Sequence, residues 1–182
     1  LPRPEGHASG WAGWGRLYAQ LQPPTGTPIR AAATNNALVT ARVLRSVPGP
    51  FDPEFGLTGG SDSLFFLRAA REGARLVSAD DAVVEESVPP ERLRARWLLR
   101  RAFRVGNGAV FCERALPAGS RRVGQRVAKA TGRLMAGAVL LPPSLLLGRT
   151  AALRALWDVC YGAGCLAGVA GYRYAEYRNL GR

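Results

Sequence analysis

Pro89-Pro90 divides this sequence into two parts that cannot fold alike. A proline pair removes two amide donors and restrains the residue before it, so an element arriving from the N-terminal side stops there, while proline suits the first turn of a new helix. Beyond it, "ERLRARWLLRRAFRVG" sets Arg92, Arg96, Arg100 and Arg104 at four-residue steps, with Leu98, Leu99 and Ala102 roughly opposite. That pattern predicts a helix that is basic along one stripe and apolar on the other side.

The stretch before the proline pair mixes periods. Residues 1–28 are rich in glycine and proline around "WGRLYAQLQ", which could form a short helix. A strand-like run over Ile29–Ala33, a helix over about Ala37–Val47 stopped by Pro48-Gly49-Pro50, a loop, a helix over Ser61–Glu72 stopped by Gly73, and β-rich bursts at Arg75–Ser78 and Ala82–Glu85 follow in order. Strand, helix, loop, helix, strand, strand predicts an α/β layer. With 182 residues the chain is long enough for one ordinary domain plus appendages. The expected division is 1–90 for the α/β portion, 91–133 for a basic amphipathic region, and 134–182 for an apolar tail.

That tail contains "LMAGAVLLPPSLLL" and "AALRALWDVCYGAGCLAGVAGYRYAEY", interrupted by Pro142-Pro143, Arg149, Arg154 and Asp158. Neither run reaches the ~20 apolar residues of a spanning helix, so interfacial or re-entrant helices are expected, with Trp157, Tyr161, Tyr172, Tyr174 and Tyr177 as ring anchors near headgroups. A buried helical hairpin is the alternative. The net charge of +12 is concentrated: Arg92 to Arg133 holds eleven arginines and Lys129 against Glu113 alone. A block of this kind implies an anionic partner surface. Nucleic acid is the weaker candidate, because aromatic residues are not interleaved with the arginines as a base-stacking platform would need.

Several chemistries are excluded. His7 is the only histidine and lies in a loop-like segment, which argues against a Ser-His-Asp triad, a Cys-His pair and a histidine metal centre. Cys112, Cys160 and Cys165 are odd in number and contain no Cys-x-x-Cys pair, which fits a reducing compartment.

One acid stands out. In "LTGGSDSLFFLRAAREGARLV", Asp62 follows Gly59-Gly60-Ser61 at the start of a helix. Acids there ordinarily cap free amides and face the positive end of the helix dipole. Ser61 could cap unaided, however, and two glycines leave room for a ligand to approach the backbone. An ionised carboxylate in that place can take a proton from a hydroxyl in direct contact, which is the work of a general base.

The stretch "TNNALVTARVLRSVPGPFDPEFGLTGGSDSLFFLRAAREGARLVSADDAVVEESVPPERLRARWLLRRAFRVGN" resembles the acceptor-side half of bacterial family 2 glycosyltransferases, which have a GT-A, Rossmann-like fold. The family shows an Asn after a strand, a Phe-Asp, a Gly-Gly-Glu-Asp, an aromatic-rich helix ending in Arg and Gly, and a strand leading to an acid or His and a Pro-Glu-Arg. The likeness covers Thr34 to Asn107. It implies that Asp62 is the catalytic base of an inverting transfer from a nucleotide-sugar to a lipid-linked or polysaccharide acceptor. It places Asn36, Gly59, Gly60 and Ser61 at the substrate, with Ser61 standing where the family has Glu. Glu86 falls where relatives have a His or an acid near the diphosphate or metal.

Arg96-Trp97 is similar to the Arg-Trp of the Gln-x-x-Arg-Trp motif of processive relatives. Leu93 occupies the Gln position, so processive synthesis is not implied, and Arg96, Arg100 and Arg101 are expected to meet phosphate oxygens. The family binds its nucleotide, and a Mg or Mn ion, through an N-terminal half with an Asp-x-Asp motif. Asp80-Asp81 is adjacent rather than spaced, so that half is expected upstream of Leu1. The implied location is the cytoplasmic face of the bacterial inner membrane. The competing reading is a non-catalytic basic module that docks on anionic membrane.

Overall fold

The computed structural model describes residues 2–4, 23–29, 32–47, 49, 51–55, 58–84, 86–117 and 119–175. His7, the "WGRLYAQLQ" segment, Pro48, Pro50 and Tyr177 lie outside them.

Among the described residues the chain is mostly helical. Helix α1 spans Ala41–Ser46, α2 Ser61–Arg71, α3 Ala95–Arg114, α4 Gly119–Leu146 and α5 Arg149–Val169. Strands β1 (Pro2–Pro4) and β2 (Glu86–Val88) pair in parallel, with Arg3 opposite Ser87. Short 3-10 turns at Thr34–Asn36, Pro53–Phe55 and Pro90–Leu93 link the elements.

The α/β layer expected from the sequence is not what the described residues form. The run at 75–78 makes one antiparallel bridge, Pro28 to Val77, and Val83 and Val84 are exposed. Backbone hydrogen bonds flank that bridge, Ile29 N to Leu76 O at 3.0 Å, Ser78 N to Thr27 O at 2.9 Å and Gly26 N to Ser78 O at 2.8 Å, but among the described residues the pairing extends no further. Side chains tie the loop down further. The Thr25 hydroxyl donates to Asp80 Oδ1, as does the Thr25 amide at 3.1 Å, and these bonds, the hydroxyl's first, lower the Asp80 pKa.

Helix α2 carries out its predicted role closely. Leu64, Phe65, Phe66 and Ala69 are buried, and Phe65 alone contributes roughly 2–3 kcal/mol of apolar burial. Its end is a Schellman turn: Ala74 N donates to Ala69 O at 2.9 Å and Gly73 N to Ala70 O at 3.4 Å, with Gly73 at φ 87. Phe65, Phe66 and Ala69 pack with Val47 below α1, whereas Leu64 packs with Phe55, Cys112 and Leu116 at the C-terminal end of α3.

The second part of the chain is a three-helix layer in which α5 lies against both α3 and α4. A two-residue link, Leu147 and Gly148, turns α4 back as α5. Glycines set how closely the helices approach. A Cβ on Gly106 would strike the Tyr161 carbonyl, one on Gly164 the Phe103 carbonyl, and one on Gly162 would sit 2.7 Å from the Ala130 carbonyl. Buried Asn107 then staples the outgoing chain: its Nδ2 donates to Gly164 O at 3.2 Å and Tyr172 O at 2.8 Å, and its Oδ1 accepts from Tyr174 N at 3.0 Å. Arg114 donates to the last carbonyls of α5, Gly168 O at 3.1 Å and Val169 O at 2.8 Å, where a cation also meets the negative helix end.

Pro142-Pro143 does not interrupt the helix as the sequence suggests, since α4 continues to Leu146. The carbonyls those prolines cannot bond belong to Ala138 and Val139, both exposed, so water can satisfy them. No helix among the described residues is long and apolar enough to cross a membrane.

Candidate functional site

Gly60 is the N-cap of α2, at φ 98, and Gly59 precedes it at φ 72. Both lie in the left-handed region that only glycine enters cheaply, which is the structural reason for the pair. Because a glycine caps the helix, no side chain does. The expected capping by Ser61 or Asp62 is therefore replaced by a neighbouring arrangement. Asp62 lies in the first turn and its Oδ1 accepts from the Ser63 amide at 2.7 Å, satisfying one of the free donors of the helix start. Among the described residues Oδ2 has no hydrogen-bond partner, and no cation forms an ion pair with the half-buried carboxylate.

What holds this turn in place is α3. The Arg stripe read from the sequence continues at the same four-residue step through Gly108 and Cys112, and these positions face the glycine turn. Arg104 Nη1 stands 3.1 Å from where a Gly59 Cβ would be, Gly108 is beside the Gly59 carbonyl, and Cys112 Sγ donates to Gly60 O at 3.7 Å. Small residues at 108 and 112 let the turn press on the helix, while Arg104 brings a guanidinium alongside it. Sequence reasoning named Arg104 only as part of the stripe and missed Gly108 and Cys112. Extending the four-residue step by two more turns would have found them.

Burial pushes the Cys112 thiol up to about 11, with the charge of Arg126 opposing and those of Asp62 and Glu113 reinforcing the shift. It is a packing residue, not a nucleophile at neutral pH. Nearby, Arg68 Nη2 pairs with Asp52 Oδ2 at 3.1 Å, bracing α2 against the loop that precedes it.

The other residues singled out from the sequence separate into near and far. Arg100 is one helical turn from Arg104, roughly 6 Å along the axis, and Arg96 two turns, both exposed. Trp97 is half-buried with Leu98 and Leu153, and Arg92 and Arg101 lie over its ring at 5.8 and 5.4 Å. Asn36 donates to the Ala82 carbonyl at 2.7 Å, a bond between loops. Glu86 begins β2, against β1. No three His, Cys, Asp or Glu residues among those described come together as a metal site. Of the aromatic side chains expected at headgroups, Trp157 joins the Leu98 cluster, and Tyr172 and Tyr174 meet Phe103 edge-on at 6.3 and 5.9 Å, Tyr172 staying exposed.

The succinoglycan biosynthesis protein ExoM of Rhizobium meliloti (strain 1021) is 29% identical over 171 residues, which cover 91% of this chain and 53% of that protein. The chain thus spans about half the length of the curated relative it matches. No protein-family model and no solved structure matches.

Proposed function

We propose that the chain is the acceptor-side portion of an inverting, family 2-like glycosyltransferase with a GT-A architecture, and that Asp62 is its general base. The observation that carries this reading is the state of the Asp62 carboxylate: one oxygen fixed by the Ser63 amide at 2.7 Å, the other without a partner beside two glycines. A relative named for succinoglycan biosynthesis supports a polysaccharide or lipid-linked saccharide as acceptor.

In this reaction Asp62 Oδ2 takes the proton of an acceptor hydroxyl as its oxygen attacks the anomeric carbon. The new C–O bond forms as the bond from that carbon to the nucleoside diphosphate breaks, and the electron pair leaves with the diphosphate. Gly59 and Gly60 give the turn its left-handed path against α3, with Ser61 at the edge of the same turn where the sugar binds. Arg104 holds the turn, and Arg100 and Arg96, further along the same stripe, meet phosphate oxygens. The nucleotide-binding sheet and its Mg or Mn ion belong to sequence beyond this portion, in keeping with the half-length match. Direct displacement inverts configuration, so an α-linked donor should give a β-linked product in the proton NMR spectrum of the reaction. A product that keeps the donor's configuration would sink the reading.

A second, compatible element concerns location. Val139, Leu140, Leu145, Leu146 and Leu147 are exposed at the α4–α5 turn, Leu146 at 91%, with Arg149 and Arg154 following on the exposed surface. Apolar side chains backed by cations match an anionic bilayer interface, and we place this tip at the cytoplasmic face of the inner membrane, where a lipid-linked acceptor is found.

A further inference from the structure

A separate cleft of about 630 Å³ opens between α3, α4 and α5. Its walls carry Arg122, Arg126, Lys129 and Arg133 from α4, Glu113 from α3 and Tyr161 from α5. The four cations fall at steps of four, three and four residues, a single stripe along one face of α4. Glu113 is the one acid among the lining residues, and its Oε1 is taken by Arg126 Nη2 at 2.6 Å. Asp158 reaches Arg133 Nε at 3.4 Å, an exposed pair. Counting both acids, four positive charges face two negative ones.

Like charges aligned on one helix face repel, so the arrangement is costly without an anion. Nor is it a floppy surface patch. Arg126 is fixed from both sides, by Glu113 and by the Tyr161 hydroxyl at 3.1 Å, and Arg133 lies over the Tyr161 ring at 4.9 Å. Arg122 and Lys129 are exposed at the mouth. Fixed guanidinium forks with exposed cations beside them suit phosphate oxygens. The volume lies within the range of small-molecule sites and exceeds what a lone ion needs.

We propose that this cleft binds a phosphorylated small ligand, with Arg126 as the fixed contact and Arg122, Lys129 and Arg133 as the surrounding clamp. The site is distinct from the Asp62 turn and does not depend on the transferase reading.

Calorimetric titration of the whole chain with inorganic diphosphate tests it, at about 0.15 M salt, where exposed charges are screened beyond ~8 Å. Saturable binding should weaken about tenfold or more in Arg122→Gln/Lys129→Gln, because two charge-assisted contacts are lost. Both side chains are exposed, so that variant should melt with the parent. Arg42→Gln/Arg45→Gln removes the same charge from α1 and should leave binding unchanged. Competition by phosphatidylglycerol vesicles would identify a lipid headgroup as the source of the phosphate, and no competition a soluble ligand; either accompanies a real site. No binding by the parent chain, or equal weakening in both double variants, would overturn the proposal. The readout is equilibrium binding, so failure of the Asp62 reaction would leave it standing.

Discussion

Asp62 and Cys112 show how one turn divides its labour. The glycines give the backbone path, the Ser63 amide holds one carboxylate oxygen, and Cys112 supplies a thiol small enough to sit under the Gly60 carbonyl. Because desolvation raises the Cys112 pKa in the folded chain to about 11, from a reference of 9.0, folding favours the neutral thiol. The associated stability is fully present below pH 9.0 and is lost as pH rises toward 11, up to roughly 3 kcal/mol. Denaturant unfolding across that window should show the decline in the parent and a smaller one in Cys112→Ala. Equal slopes would mean that the thiol is not desolvated. At pH 8, Cys112 should also resist alkylation until the chain is unfolded, as read by peptide mass spectrometry; rapid native labelling would contradict its burial.

At the scale of elements, glycine is used for opposite purposes. Gly164 meets the Phe103 carbonyl, so Gly164→Ala must push α3 and α5 apart, and a loss of about 2–4 kcal/mol is expected, in the range of core overpacking and worse. Gly132, on the exposed side of α4 with nothing within 4 Å, has no such contact, and Gly132→Ala should stabilise by about 0.5–1 kcal/mol. Urea unfolding of the two variants decides it; similar effects would mean that the close crossing is wrong. These crossings were not legible in the sequence, where "YGAGCLAGVAG" reads only as apolar and small. Helix α2 was legible, because Leu64, Phe65 and Ala69 repeat at helical spacing and Gly73 marks the end. The basic helix after Pro90 was legible too, but it begins later than read: Pro90–Leu93, with Arg92, form a 3-10 turn, and α3 starts at Ala95. Strand propensity expresses itself only against a partner: the run at 75–78 meets one short segment, 26–29, while Val83 and Val84 stay exposed. Of the site, the Gly-Gly-Ser-Asp turn was visible, but the helix surface beneath it was not, since Gly108 and Cys112 carry no polar signal.

Across the whole molecule, charge and apolar surface are arranged along the helical layer. The Arg stripe of α3 leads to the Asp62 turn, the cationic cleft lies along α4, and the exposed leucines gather at the α4–α5 turn. Roughly 18 Å of helix separates Arg133 from Leu145, which keeps the cleft clear of the tip. Leu145→Ser/Leu146→Ser/Leu147→Ser should abolish sedimentation of the chain with phosphatidylglycerol vesicles with little change in its melting temperature, because these side chains are largely exposed. Undiminished sedimentation would refute a tip-mediated contact. The central claim is that Asp62 removes the acceptor proton, and it is tested most directly by Asp62→Asn in the protein that includes the donor-binding half. Transfer of labelled sugar from the nucleotide-sugar should fall by about 10²–10⁴-fold while the nucleotide dissociation constant stays unchanged. Turnover within a few-fold of the parent would contradict the account.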